Sequence, residues 1–259
     1  MGLILRSLPI SLSWDKINSQ FSLAEQSQFL ICQDNKVLFI RDGKRVQEYI
    51  QGIGALYCIS NGIKALPMPK ASASIAIRVA REFYQSATPN SPIMQLTRFV
   101  DQSHYRIKEK AERDNIAPLG ASIITAWVLD DKLHFINIGN TRLYKINFDG
   151  IELCTTDQSI EHFKDEKHSS SSRLAQAFFY GRHDNKEQLH IELGINVKSL
   201  KLQKGDRFIL CNSSLPLALS DDFSHFIRSP IEKINYELKS WLKRLTFQDE
   251  ISAVILDVQ

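Results

Sequence analysis

Residues 55–80 read ALYCISNGIKALPMPKASASIAIRVA, and their reading decides the fold. Leu56, Tyr57, Cys58 and Ile59 form a short continuous apolar run bounded by turn residues, the mark of a strand covered on both faces. Ser60, Asn61 and Gly62 read as a tight polar turn. A loop with Pro67 and Pro69 follows. Then comes a helix on which Ser72, Ile75, Ala76, Val79 and Phe83 share one face at helical spacing. A strand that ends in a carboxylate followed by glycine can hold a metal ion. The strand fixes the side chain, and glycine lets its own carbonyl approach the ion. Here Asn61 stands where the carboxylate would be. Taken alone, Asn61-Gly62 is also an ordinary turn pair.

On the N-terminal side, residues 1–20 are an apolar N-terminal extension or edge strand, and residues 21–259 form one domain. Phe21 to Glu25 and Gln28 to Cys32 are extended, and Gln33, Asp34 and Asn35 form a polar break. Val37 to Ile40 and Arg45 to Ile50 flank Asp42-Gly43, a hairpin signal. On the C-terminal side a second helix follows Pro92, with Ile93, Leu96, Val100, Ile107 and Ala111 inward. Its charge run (Lys108, Glu109, Lys110, Glu112, Arg113) is a solvated face. Ala121 to Leu129 and Leu133 to Ile138 meet at Asp130-Asp131. Leu143 to Phe148 and Ile151 to Cys154 meet at Asp149-Gly150. Together these give an antiparallel meander. Residues 157–172 read as a mobile polar loop. Arg173 to Tyr180 reads as a short helical stretch stopped by Gly181. Val197 to Leu202 and Arg207 to Cys211 read as a hairpin through Gly205-Asp206. Asp222 to Arg228 and Pro230 to Leu245 are helical, the latter with a stripe of Ile231, Ile234, Leu238, Leu242 and Leu245. Ile251 to Val258 closes the chain as a strand. Runs of antiparallel strands with helices segregated in pairs imply an α+β layered fold, not a doubly wound sheet.

The 259 residues suffice for one large core, and 43% hydrophobic with 24% charged residues is ordinary for a globular protein. A net charge of +3 with dispersed basic residues argues against nucleic acid as a partner. The apolar start is too short and interrupted for a membrane span and lacks the features of a signal peptide. Cys32, Cys58, Cys154 and Cys211 sit in or beside apolar runs without C-x-x-C spacing, so buried reduced thiols in a cytoplasmic protein are expected. The seven histidines show no zinc-binding spacing.

The short motifs, taken in order, resemble the metal-dependent serine/threonine protein phosphatases of the PPM type, the protein phosphatase 2C family. Gln33-Asp34-Asn35 resembles the family's N-E-D or N-Q-D segment. Ile59 to Ala65 resembles V-A-D-G-M-G-G, and Ala71-Ser72 the A-S that opens the next helix. Gly120-Ala121-Ser122 is similar to G-T-T, Asn137 to Arg142 to N-V-G-D-S-R, and Leu153 to Ser159 to L-T-x-D-H-S. Leu174 to Gly181 is similar to L-T-R-A-L-G. Lys204 to Leu215 is similar to x-G-D-x-L-L-L-C-S-D-G-L, and Gln248 to Ser252 to x-D-N-I-T. The resemblance implies an α/β/β/α sandwich of two packed antiparallel sheets with a helical pair outside each.

It also implies a two-metal site in which manganese or magnesium activates a water for attack on phosphorus. Two divalent cations about 4 Å apart repel by about 16 kcal/mol at an effective dielectric near 20, so the site needs a dense set of carboxylates. Position by position that set is incomplete. Asp34 and Asp249 match the first and last family aspartates, and Gly62 would offer its carbonyl. Asn61, Ser213 and Asn140 stand where three aspartates belong. Lys64 and Ala65 replace a glycine pair and bring an ammonium towards the site. The phosphate-holding arginine expected before Asp34 is missing from Gln26 to Cys32. Glu250 adds a carboxylate where the family has Asn, and Glu48 could stand in for Asp34 if the hairpin were placed differently. Without the resemblance, Asp34 and Asp249 are turn and strand caps and Lys64 is a solvated side chain.

The expected function is therefore that of a pseudophosphatase, a bacterial cytoplasmic protein that binds a protein partner or phosphoprotein and needs no cofactor. One alternative is a weak phosphatase holding one manganese or magnesium ion through Asp34, Asp249 and Glu250. The other is a small-ligand sensor that uses the vacated pocket.

Overall fold

A computed structural model describes residues 3–15, 20–22, 24, 26–116, 119–158, 178–180, 197–244 and 249–259. The deciding stretch is β6, Ala55–Gly62, followed by α1, Pro69–Ser86. Ser60, Asn61 and Gly62 are not a turn but the last residues of the strand. Asn61 pairs with Ser27 on one side and Ser122 on the other, and Gly62 with Ala121. The loop begins only at Ile63, because neighbours on both sides keep these backbone groups paired.

β6 is central to one sheet. Its neighbours are β3 (Ser27–Gln33) and β7 (Leu119–Leu129). Beyond β3 lie β4 (Lys36–Arg41) and β5 (Lys44–Tyr49), joined by the expected Asp42-Gly43 turn, both residues at positive φ. Beyond β7 lie β8 (Lys132–Ile138) and β12 (Lys198–Lys201). β11, Phe178–Tyr180, also pairs with β7. The helical reading of Phe178 to Tyr180 is thereby corrected: these residues extend the sheet beside Leu119 to Ala121. Residues 173–177 and 159–172 of the expected loop lie outside the described residues.

The second sheet runs β10 (Ile151–Leu153), β9 (Arg142–Ile146), β13 (Arg207–Cys211), β14 (Ile251–Val258), β1 (Leu5–Asp15) and β2 (Gln20–Ser22). β1 pairs with β14 from Leu5 to Leu12. The hairpin expected across Gly205-Asp206 does not form. β12 pairs with β8 in the first sheet and β13 with β9 and β14 in the second, so this turn carries the chain between sheets.

Side-chain alternation along the strands builds three cores. Phe29, Tyr57, Ile59 and Ile124 of the first sheet meet Phe208, Leu210, Val254 and Leu256 of the second. The opposite face of the first sheet, with Leu30, Cys58, Ile123 and Trp127, is covered by α1 and by α2, Pro92–Arg113. Phe83 of α1 meets the Trp127 ring edge-on at 5.2 Å between centroids. The outer face of the second sheet (Ile10, Ile209, Ala253, Ile255) is covered by α3 (Ser214–Leu219), α4 (Phe223–Phe226) and α5 (Ile231–Arg244). The result is the expected α/β/β/α sandwich of the α+β class. The expected inward faces are buried on both long helices except at Ile93, which is 59% exposed. All four cysteines are buried free thiols. Among the described residues no helix is long and apolar enough to cross a membrane.

Candidate functional site

The candidate site lies where β6, β3, β13 and β14 end together at one mouth between the sheets. Asn61 and Ser27 share a register position there, and the Gly62 amide donates to the Gln26 carbonyl at 2.8 Å. A Cβ on Gly62 would meet the Pro69 carbonyl oxygen at 2.0 Å. Glycine is thus required by the close approach of the α1 start, whatever else its carbonyl does.

Asp249, just before β14, is the centre of this corner. Its carboxylate forms an ion pair with Lys64 and accepts the Ser214 hydroxyl at 2.7 Å and the Glu250 amide at 2.8 Å. Burial pushes the Asp249 carboxyl up, but Lys64, Ser214 and the Glu250 amide outweigh it and hold it below the usual carboxylate range. Lys64 therefore meets a carboxylate at the site rather than solvent alone. Glu250 turns the other way: Oε2 accepts the amides of Gln26 and Ser27 at 2.8 and 3.0 Å. Asn212, at the end of β13, donates to the Glu250 carbonyl at 2.7 Å and accepts the Ser252 amide at 3.3 Å. Across the mouth, Asn140 donates its side-chain amide to the Ser213 hydroxyl at 2.9 Å.

Asn61, Gly62, Lys64, Asp249, Glu250, Asn140 and Ser213 are thus all at or around this mouth, but Asp34 is not. Asp34 sits in the β3–β4 turn at φ 53°, beyond the opposite end of β3. At about 3.3 Å per residue it lies about 23 Å along the strand from Ser27, the residue paired with Asn61. Its placement as the first metal carboxylate is corrected on that ground. The same holds for Glu48, which accepts hydrogen bonds from Arg41 and Arg81 beside α1. The backbone next to Asn61 belongs instead to Gln26 and Ser27. Gln26 Oε1 is a buried acceptor without a hydrogen-bond partner among the described residues. Glu25 lies outside those residues.

The sequence reading missed Gln26, Ser27, Asn212 and Ser214. The signal for Ser214 was present in the polar run Asn212-Ser213-Ser214 that directly follows the apolar β13. The motifs that resembled G-D-S-R and D-H-S prove to interlock. Arg142 makes a two-pronged bond to Asp157 at 3.0 and 2.6 Å, and Gln158 accepts the Gly139 amide at 2.9 Å.

The donors among the described residues do not suit a pair of divalent ions. Asn61, Ser213 and Asn140 are neutral, Glu250 is committed to two backbone amides, and Asp249 already faces an ammonium. Among the described residues no three His, Cys, Asp or Glu side chains gather as a metal-binding group. What the mouth can do is bind polar groups through amides, hydroxyls and one ammonium.

No family model matches the sequence, and no curated protein matches it. Solved structures do match the fold. The manganese-bound catalytic domain of the serine/threonine protein phosphatase PstP aligns at 15% identity and TM-score 0.70, over 99% of both chains. PppA of Pseudomonas aeruginosa aligns at 14% identity and TM-score 0.66, over 100% of this chain and 99% of that one. The S. agalactiae serine/threonine phosphatase aligns at 13% identity and TM-score 0.68, over 99% and 100%. The sandwich built by this sequence is therefore the fold of the PPM-type serine/threonine protein phosphatases.

Proposed function

We propose that the chain is a pseudophosphatase that binds a protein partner and does not hydrolyse phosphoesters through metal ions. The observation that carries this reading is the Lys64–Asp249 ion pair. It sets an ammonium against the carboxylate that a metal would need, beside neutral Asn61, Ser213 and Asn140. A regulatory use of the fold has a parallel in PppA, described as a key regulatory component of a type VI secretion system. We take the chain to be bacterial and cytoplasmic, supported by the four free thiols and by the bacterial sources of the similar structures. The test is manganese calorimetry on the purified protein, with Asp249→Ala as control. No heat is expected at millimolar manganese. Micromolar binding that disappears in the control would overturn the reading and send the protein to a phosphopeptide hydrolysis assay.

A further inference from the structure

A second cleft lies on the other side of the first sheet. Strand alternation puts Gln28 on the face opposite Ser27 and Asn61, where it lines a cavity of about 300 Å³ between α1 and the β4–β5 hairpin. Four cations line this cavity, Arg41 from β4 and Lys70, Arg78 and Arg81 from α1, against one carboxylate, Asp42. Two of the guanidiniums are already fixed in place. Glu48 accepts from Arg41 at 3.0 Å through one oxygen and from Arg81 Nε at 2.9 Å through the other. Both also lie over the Phe39 ring, 4.9 and 6.0 Å from its centroid. Glu48 thus neutralises part of the charge while setting the two planar forks side by side, so little entropy remains to be lost when a ligand binds. Lys70 and Arg78 are exposed on α1 and complete the cationic wall.

We propose that this cleft binds a phosphorylated serine or threonine segment of a partner protein. A phosphoryl group carries close to two negative charges on three strong acceptor oxygens, which matches a cluster of guanidiniums better than a single carboxylate does. Buried Ile77 and Phe39 form an apolar floor for the flanking residues. Nucleic acid fits less well, because Phe39 is buried beneath the arginines and offers no face for stacking. The inference does not depend on loss of the metal site, since the cleft opens on the opposite face of the sheet.

The test is fluorescence anisotropy in chelator-containing buffer, with a degenerate short peptide library fixed at a central phosphothreonine or phosphoserine, beside its unphosphorylated counterpart. Arg78→Glu combined with Lys70→Glu reverses two exposed charges without touching the Glu48 clamp, and its melting curve should match that of the parent. The expected result is phosphate-dependent binding, weakened about tenfold or more by the double variant, as loss of a charge-assisted contact predicts. Asp249→Ala should leave it unchanged. The proposal is overturned by no binding at millimolar library, by equal binding of the unphosphorylated library, or by unaltered affinity in the double variant. Binding lost in Asp249→Ala but kept in the double variant would place the phosphoryl group at the mouth between the sheets and overturn the cleft assignment. Sedimentation of the protein with anionic phospholipid vesicles, without phosphopeptide binding, would identify a membrane surface as the ligand and also overturn it.

Discussion

Asp249 is held by an ammonium, a hydroxyl and a backbone amide, and its carboxyl lies below the ordinary value in consequence. A carboxyl whose pKa falls on folding stabilises the native state above its unfolded pKa, about 3.9. That contribution disappears as the pH drops through the folded value. Lys64 and Asp249 are 51% and 41% exposed, so solvent screens the pair and its net worth is about 0.5–1 kcal/mol. Asp249→Asn should therefore lower the urea midpoint at neutral pH and lower it less in acid, below about pH 4. An equal loss at both pH values would mean that the hydrogen bonds, and not the charge, carry the effect. The resemblance picked out Asn61, Ser213, Asn140, Lys64 and Asp249, and the fold brings these residues to one mouth because each sits at a strand end or in a loop beside one. It misplaced Asp34 because Gln33-Asp34-Asn35 imitates an acidic segment while serving as a tight turn, with Asp34 and Asn35 both at positive φ.

α2 shows what periodicity can and cannot say about an element. Ile93 and Leu96 are three residues apart and share a helical face, yet Leu96 is fully buried and Ile93 is not. Ile93 stands in the first turn of the helix, where the stripe is left exposed. Leu96→Ala should cost about 3 kcal/mol in urea unfolding, the usual range for an emptied core site. Ile93→Ala should change stability by less than about 0.5 kcal/mol, as at other exposed positions. A large loss from Ile93→Ala would mean that this end of α2 is covered in solution. A parallel limit explains the false hairpin at Gly205-Asp206. Two strand patterns around a glycine turn look alike whether the strands pair or part. What separates them here is the buried Asp206 carboxylate, which accepts the Gln203 amide at 3.0 Å and faces Lys145 at 3.2 Å, fixing a turn that leads from one sheet to the other. That partner is more than fifty residues away in sequence and cannot be read locally. β11 was hidden for the same reason, since Phe178 to Tyr180 acquire their extended form from β7.

Across the whole molecule, the two sheets are joined at the mouth by hydrogen bonds. Glu250 accepts the amides of Gln26 and Ser27 where β3 begins, Asn212 donates to the Ser27 hydroxyl at 3.4 Å, and the Ser252 hydroxyl donates to the Ser27 carbonyl at 3.2 Å. If these contacts close the sandwich without metal, its thermal stability should not respond to divalent ions. A ligand present at a hundred times its Kd adds about 2.7 kcal/mol to the stability of the state it binds. For a chain of this size that would raise the melting temperature by about 5–10 °C. We expect no such shift between excess chelator and millimolar manganese or magnesium. We expect a clear loss of about 2–3 kcal/mol from Glu250→Ala, which leaves two partly buried amides without their acceptor. Differential scanning calorimetry measures both. A rise with manganese that Glu250→Ala abolishes would mean that Glu250 turns from the amides to an ion, and the hydrogen-bonded closure would then be only one of two states of the mouth. A flat response to metal together with the Glu250→Ala loss would place the stability of the sandwich in its own side chains.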